Sequence, residues 1–449
     1  MSKYLKTIPL LPLLFLLTAA IAQQKQSGKI PVSIKIDKNL TDEQLLDLVQ
    51  RQTFRYFWDF AHPVSNMARE RSNKSFSYGH EVVTTGGTGF GVMAVVVATE
   101  RQWIARDTAA RFLLKMVKFL GKADAYHGVF AHWLDGATGK TIPFSRKDDG
   151  ADLVESSFLF QGLLTAQRYF NANTPAENEL RGRINSLWND IEWDWFTREG
   201  QDVLYWHWSP NNGWAMNFPL RGFNEALITY VLAASSTRYP VPASVYHNGW
   251  AQSNFFKNGR EFYGHKLPLG FDYGGPLFFS HYSFLGLDPR GLKDRYADYW
   301  EQNRNHTLIN RAYVLENPKK YKGYGANSWG LTASDSWQGY AAHSPTEDHG
   351  VITPTAALSA FPYTPEYSMQ ALKHFYFDLG DKLWTEYGFV DAFSEHHNWY
   401  AKSHLAIDQG PIIVMIENYR TGLLWKLFMS HPDVQGGLRK LGFTSPALK

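Results

Sequence analysis

DLVESSFLFQGLLTAQRYF, residues 152–170, is the stretch on which the reading of the fold turns. Past its first turn it is apolar or small nearly all round, so as a helix it must be buried on every side. Residues 89–98, 225–235 and 411–419 have the same character. Residues 177–196 are the opposite kind. There Leu180, Ile184, Leu187, Trp188, Ile191 and Trp195 form one apolar stripe among polar neighbours, which predicts a solvent-facing helix. Residues 42–60 behave similarly, with Thr41 and Gln44 spaced as a capping box. The two kinds alternate through about twelve candidate helices between residues 42 and 430. Alternation of buried and exposed helices is what a ring of helical hairpins requires; the alternative is an irregular multi-helix bundle. The expected class is all-α.

Working outward, no Pro/Ser/Gly-rich tract or charge run divides the chain, so a single domain is expected over residues 40–449. Residues 23–39 read as an irregular leader. Ahead of them, Lys3 and Lys6 precede an apolar run from Ile8 to Leu17 and then Ala20-Ile21-Ala22, the order of a cleavable signal peptide over residues 1–22. A periplasmic or secreted protein is expected, with no membrane insertion after cleavage. The sequence has no cysteine, which excludes a lipoprotein, a disulfide framework and thiolate metal sites. Its 45 basic and 42 acidic side chains nearly balance, unlike the basic surface of a nucleic-acid binder. With 16 Trp and 24 Tyr, it carries many rings suited either to a large helical core or to stacking on sugars.

Three stretches read as aromatic-rich hairpins feeding a buried helix: residues 126–144, 202–220 and 387–408. Turn signals stand at Asp135-Gly136 and Asn211-Asn212-Gly213. Each junction is acidic. Asp148, Asp149, Asp152 and Glu155 follow the first, Glu225 with Arg221 and Asn224 the second, and Asp408 the third, with Glu417 deeper in its helix. Asp148, Asp152 and Glu155 are spaced i, i+4, i+7 and would share a face if helical throughout. Asp148 or Asp149 suits an N-cap and Asp152 a first-turn acid. Glu155 lies within a segment whose other faces look buried, where a carboxylate is costly without partners or a task. Glu417 suits a buried hydrogen-bonding role. Paired carboxylates serve glycoside hydrolysis, one protonating the leaving oxygen and the other activating water or attacking the sugar. For inversion the pair must come from different helices: Glu155 or Asp152 with Glu225, or Glu225 with Asp408.

Candidate sugar-stacking rings are Trp133, Trp206, Trp214 and Trp399 in the hairpins, and Trp329 and Trp337 in the Gly/Ser-rich stretch 323–350, which also holds His349. Arg221 is a further candidate contact. No G-x-S-x-G elbow, P-loop or H-E-x-x-H is present, and His396-His397 are adjacent rather than convergent, so neither a metal nor a cofactor is expected. The glycines of TTGGTGFG (84–91) read as a tight helix entry rather than a dinucleotide loop.

The runs DDGADLVESSFLFQGLL (148–164), TTGGTGFGVMA (84–94), SWGLTASDSWQGY (328–340) and GVITPTAALSAFPY (350–363) resemble the glucoamylase-like proteins and, within them, the bacterial β-1,2-glucanases of glycoside hydrolase family 144. The resemblance runs from about residue 42 to the end. It implies an (α/α)6 barrel, no catalytic metal, inversion, and β-1,2-glucan or its oligosaccharides as substrate, with sophorose among the products. The family's acidic cluster maps onto Asp148, Asp152 and Glu155, a further acid onto Glu225, and a candidate base onto Asp408. Other readings are a different hydrolase or transglycosylase on the same barrel, including one acting on α-glucan, and a non-catalytic glucan-binding envelope protein. A monomer is expected.

Overall fold

Glycines at helical spacing let two helices meet main chain to main chain. The computed structural model describes residues 32–73 and 79–448. Its helices are α1 (Asp42–Trp58), α2 (Thr85–Glu100), α3 (Arg106–Leu120), α4 (Leu153–Tyr169), α5 (Pro175–Asn189), α6 (Leu227–Ser235), α7 (Tyr299–Glu316), α8 (Pro354–Leu358), α9 (Pro365–Lys373), α10 (Gly380–Leu383), α11 (Ala406–Arg420), α12 (Leu423–Met429) and α13 (Pro432–Lys440). In α2 and α4, Gly89 and Gly162 face each other so tightly that a Cβ on Gly89 would stand 2.1 Å from the Phe158 carbonyl oxygen. The TTGGTGFG glycines are therefore the body of α2, not only its entry. They let main chain approach main chain where any side chain would hold the helices apart.

The inner positions of the ring are α2, α4, α6, α8 and α11, buried on nearly every face. α2 packs on α4, α4 on α6, and α11 back on α2 and α1, which closes the ring. The remaining inner position, between α6 and α8, is a broken run of short 3-10 turns, Leu277–Ser280 and Ser283–Leu285. Gly274, Gly275, Pro276 and Gly286 bracket it, and they deny it a continuous helix. Helices α3, α5 and α9 cover the outside, each buried along one face only. The result is the helical toroid expected of the class, with only small two- and three-stranded sheets among the described residues.

Closure has its own polar clasp. Glu417 on α11 accepts from Arg101 Nε just past α2 at 2.6 Å and from Gln50 Nε2 on α1 at 3.3 Å. Thr421 Oγ1 donates to its other oxygen at 2.8 Å. This is the buried hydrogen-bonding role read for Glu417.

The hairpins hold with corrections. In the first, Trp133–Asp135 pairs with both Thr141–Ile142 and Val82–Thr84, and Asp135 caps the turn through Ala137 N and Thr138 N. In the second, bridges of Tyr205 with Pro219 and of Ser209 with Gly213 join its two limbs, and His207–Trp208 pairs in addition with Ala151–Asp152. In the third, Phe393–Ser394 pairs with Trp399–Tyr400. The helix expected over 177–196 ends at Asn189; Ile191 lies beyond it, and Trp195 sits in a following 3-10 turn and is exposed. The start of the leader lies outside the described residues, as does the expected signal peptide. Its later part docks on the ring through Ser33 O, which accepts from Trp384 Nε1.

Candidate functional site

The N-termini of α4 and α11 and the loop before α6 meet around a cavity of about 490 Å³. Glu155, Glu225, Asp152 and His132 line it, with Trp133 and Trp206 as walls.

Asp152 is extended at φ −108°, ψ 106°, and is the N-cap of α4. Its Oδ1 accepts from Val154 N, Glu155 N and Trp206 Nε1 at 2.9–3.0 Å, and His132 Nδ1 lies 3.0 Å from Oδ2. Asp148 sits in the turn before it, with His207 Nε2 3.2 Å from its Oδ1. The i, i+4, i+7 helical face expected for Asp148, Asp152 and Glu155 is thus corrected, because the chain enters α4 through a strand. The cap is Asp152, not Asp149, which is bonded instead to Asn211 Nδ2. With both oxygens engaged, Asp152 is a clamp on His132 and Trp206.

Glu155 is in the first turn of α4, and its Oε2 accepts from Gly86 N at 2.8 Å. A Cβ at Gly86 would come within 2.5 Å of that oxygen, so glycine is required there. Burial pushes the Glu155 carboxyl up to about 7; the facing His132 works against this, while Asp152 and Asp148 reinforce it. Burial works to lower His132, yet Glu155, Asp152 and Asp148 together raise it to about 9. At neutral pH the imidazole is therefore a cation among acids. Glu225 lies two residues ahead of α6 in a turn, not in the helix. Its main-chain carbonyl accepts from Ser283 Oγ. Burial raises its carboxyl to about 7, with Glu155 and Asp152 adding to the effect.

A second acidic cluster adjoins the same cavity and was not anticipated as a group. Glu70 and Arg71 are cavity residues. Arg71 bonds Glu70 through Nε at 2.8 Å and Asp335 through Nη1 at 3.0 Å. Ser403 Oγ donates to Asp335, and Asp335 N donates to Asp391 Oδ2 at 2.7 Å. Asp391 in turn meets Asp408, which lies in the first turn of α11 and also touches Tyr282. Asp391 Oδ1 and both Asp408 carboxylate oxygens are buried without a hydrogen-bond donor. Two carboxylates can only accept, so one proton shared between them meets the deficit. Burial and the neighbouring Asp335 raise Asp391 to about 7, and burial and Asp391 hold Asp408 well above the usual carboxylate range. Asp408 does not itself line the cavity; Tyr282 does, and so does Tyr340 from the Ser334–Ser336/Gly339–Ala341 hairpin.

The remaining aromatic candidates divide. Trp133 and Trp206 face the cavity. Trp214 packs on Tyr205 and Phe196 outside the lining, and Arg221 bonds Gly249 O. Trp329 is fully buried among α8 residues, so it is a core side chain. Trp337 is exposed, lies on His397 with centroids 4.2 Å apart and donates to His349 O. His349 stands beside His343, and Trp399 packs on the apolar cluster that holds Trp329; Trp337, His349 and Trp399 lie outside the cavity lining.

Among the described residues, His132, Asp148 and Asp152 are the group whose ligand atoms lie within 4.8 Å of one another. A cation there would have to displace the N–H donors already on Asp152. No helix among the described residues is long and apolar enough to cross a membrane.

Comparison with known proteins adds the following. The family model described as "Putative glucoamylase" matches residues 217–432. A Bacteroides uniformis structure of the same description is 65% identical, with TM-score 0.90, over 92% of this chain and 100% of that one. The endo-β-1,2-glucanase from Chitinophaga pinensis, solved with sophorotriose and glucose, is 57% identical, with TM-score 0.89, over 91% of this chain and 100% of that one. The exo β-1,2-glucooligosaccharide sophorohydrolase (non-reducing end) of Parabacteroides distasonis is 46% identical over 423 residues, 90% of this chain. The chain spans 58% of that protein's length.

Proposed function

Because the chain belongs to the glucoamylase-like family of bacterial β-1,2-glucanases and sophorohydrolases, we propose that it is a glycoside hydrolase that cleaves β-1,2-glucan or its oligosaccharides and yields sophorose. The observation that carries the reading is the cavity itself: two carboxyls raised to about 7, Glu155 and Glu225, face one space walled by Trp133 and Trp206. Rings of that kind stack on the apolar faces of sugars.

Glu225 is the proton donor in this proposal. Its raised carboxyl keeps a proton near neutral pH, as a general acid must. The base is Asp408, acting on the anionic charge that its pair with Asp391 retains after sharing one proton. Its contact with the cavity residue Tyr282 supports this role over Asp152, whose oxygens are held by His132, Trp206 and the α4 main chain. Acid and base then come from different elements, which leaves room for a water between them and favours inversion. Glu155 and His132 form a charge-balanced wall that orients the sugar. Export is part of the proposal, supported by Lys3, Lys6, the Ile8–Leu17 run and Ala20-Ile21-Ala22.

The test is a product profile from linear β-1,2-glucan and short β-1,2-oligosaccharides, beside starch and β-1,3-glucan. Sophorose from the outset means exo action, and a ladder of sizes means endo action. Cleavage of only starch or β-1,3-glucan overturns the substrate.

A further inference from the structure

A line of aromatic rings leaves the cavity and ends on the protein surface. Tyr282 and Phe278 line the cavity, with centroids 5.0 Å apart. Phe278 meets Phe279 at 4.8 Å, Phe279 meets Phe271 at 6.5 Å, and Phe271 meets Phe255 at 5.3 Å. Phe255 and Phe271 are 57% and 42% exposed. Large apolar rings left in water in a row are unusual unless something covers them.

Phe255, Phe271 and Phe279 form one side of a second, open cavity of about 620 Å³. Two chain segments border both cavities. The consecutive residues Phe278 and Phe279 each line one of the two, and the hairpin that sends Tyr340 into the first continues into Ser344 and Thr346 of the second. The main chain of Phe255 also packs over Gly222, on the loop that carries Glu225. The rim is polar: Arg260 pairs with Asp272, and Asn258 Nδ2 donates to Gly270 O at 3.0 Å. Flat apolar faces ringed by hydrogen-bonding groups match a pyranose, which is apolar on its faces and hydroxylated at its edge.

We propose that this second cavity holds glucosyl units of the same glucan chain, remote from the bond being cleaved, on the exposed faces of Phe255 and Phe271. The inference rests on the glucan-hydrolase reading of the first cavity. Its occupant is the substrate's own extension, because the ring line and the segment after Tyr340 run from one space to the other. A short oligosaccharide fills the first cavity alone, whereas a polymer reaches both.

The test is the double variant Phe255→Ala/Phe271→Ala, assayed on long β-1,2-glucan and on a β-1,2-linked tetrasaccharide. KM for the long glucan should rise about ten-fold, with kcat/KM on the tetrasaccharide unchanged. The second result shows that the fold and the first cavity are intact. An equal loss on both substrates, or no change on either, overturns the proposal. Should the parent protein cleave neither substrate, the hydrolase reading fails separately. Migration of parent and variant through a native gel containing β-1,2-glucan then decides: retardation lost in the variant supports the second cavity, and equal migration removes it.

Discussion

Glu225 and Asp391 carry the sharpest consequences at the scale of single side chains. Replacing Glu225 with Gln removes the transferable proton while keeping the shape, so kcat should fall by at least about a hundred-fold. Circular dichroism should be unchanged, and near-normal turnover would remove Glu225 from the mechanism. In the parent protein the donor deprotonates at about 7, so kcat/KM should decline as pH rises past that point. Asp391→Asn tests the shared proton. Without a second carboxylate beside it, Asp408 ionises more readily, so the acidic limb of the pH–rate profile should move down by at least about one unit. A merely structural Asp391 would lower kcat and leave that limb in place. At this scale the sequence exposed half of the site. Asp148, Asp152, Glu155 and Glu225 stood out because acids beside apolar runs are conspicuous in a local window. Asp408 was legible in the same way, but its partner Asp391 and the pair Glu70 and Asp335 reach it only through the fold, and such convergence leaves no period in the sequence. Trp329 shows the opposite failure: a Trp in a Gly/Ser-rich loop looked like a binding ring, and the loop folds it inward.

Among the elements, the all-round apolar helices were legible because burial on every face demands apolar residues on every face. The inner turn at 277–285 was not, since its glycines and Pro276 erase the helical period while tertiary contacts still place it in the ring. Two glycines offer opposite tests of how the helices are built. Gly89→Ala drives a methyl into the α4 main chain and should destabilise the protein by about 3 kcal/mol in urea denaturation. Gly182→Ala lies mid-helix on α5 with no atom within 4 Å of the new methyl. It should stabilise by about 0.5–1 kcal/mol. A neutral Gly89→Ala would mean that α2 and α4 do not meet main chain to main chain.

For the molecule as a whole, the raised carboxyls, the raised His132 and the buried neutral histidines together set the pH dependence of stability. Glu155, Glu225 and Asp391 bind protons more tightly folded than unfolded between their ordinary range and about 7. His132 does so between about 6.5 and 9. In both windows the folded state holds the extra protons, so stability falls as pH rises. Burial lowers His281 to about 3 and His306, His343 and His404 to about 4, which opposes the carboxyls below about pH 6.5. The melting temperature should therefore decline from about pH 7 to pH 9 as His132 loses its proton, and the Glu155→Gln variant, which removes a charge that raises His132, should flatten that slope. A melting temperature that rises steadily across the range would contradict the charge states assigned to the site.

The closure of α11 on α1 and α2 also bears on how quickly the chain folds and comes apart. Gln50 donates to Ile413 O across 363 positions of sequence. Contacts of that span carry the heaviest loop-closure cost in the chain, so they form late. What forms late is also largely absent from the unfolding transition state's gains, so it acts mainly on the rate of opening. A ring with no cysteine to bolt it shut is then long-lived for a kinetic reason: opening must first break its last-made contact, and the native half-life, more than the equilibrium constant, measures its endurance.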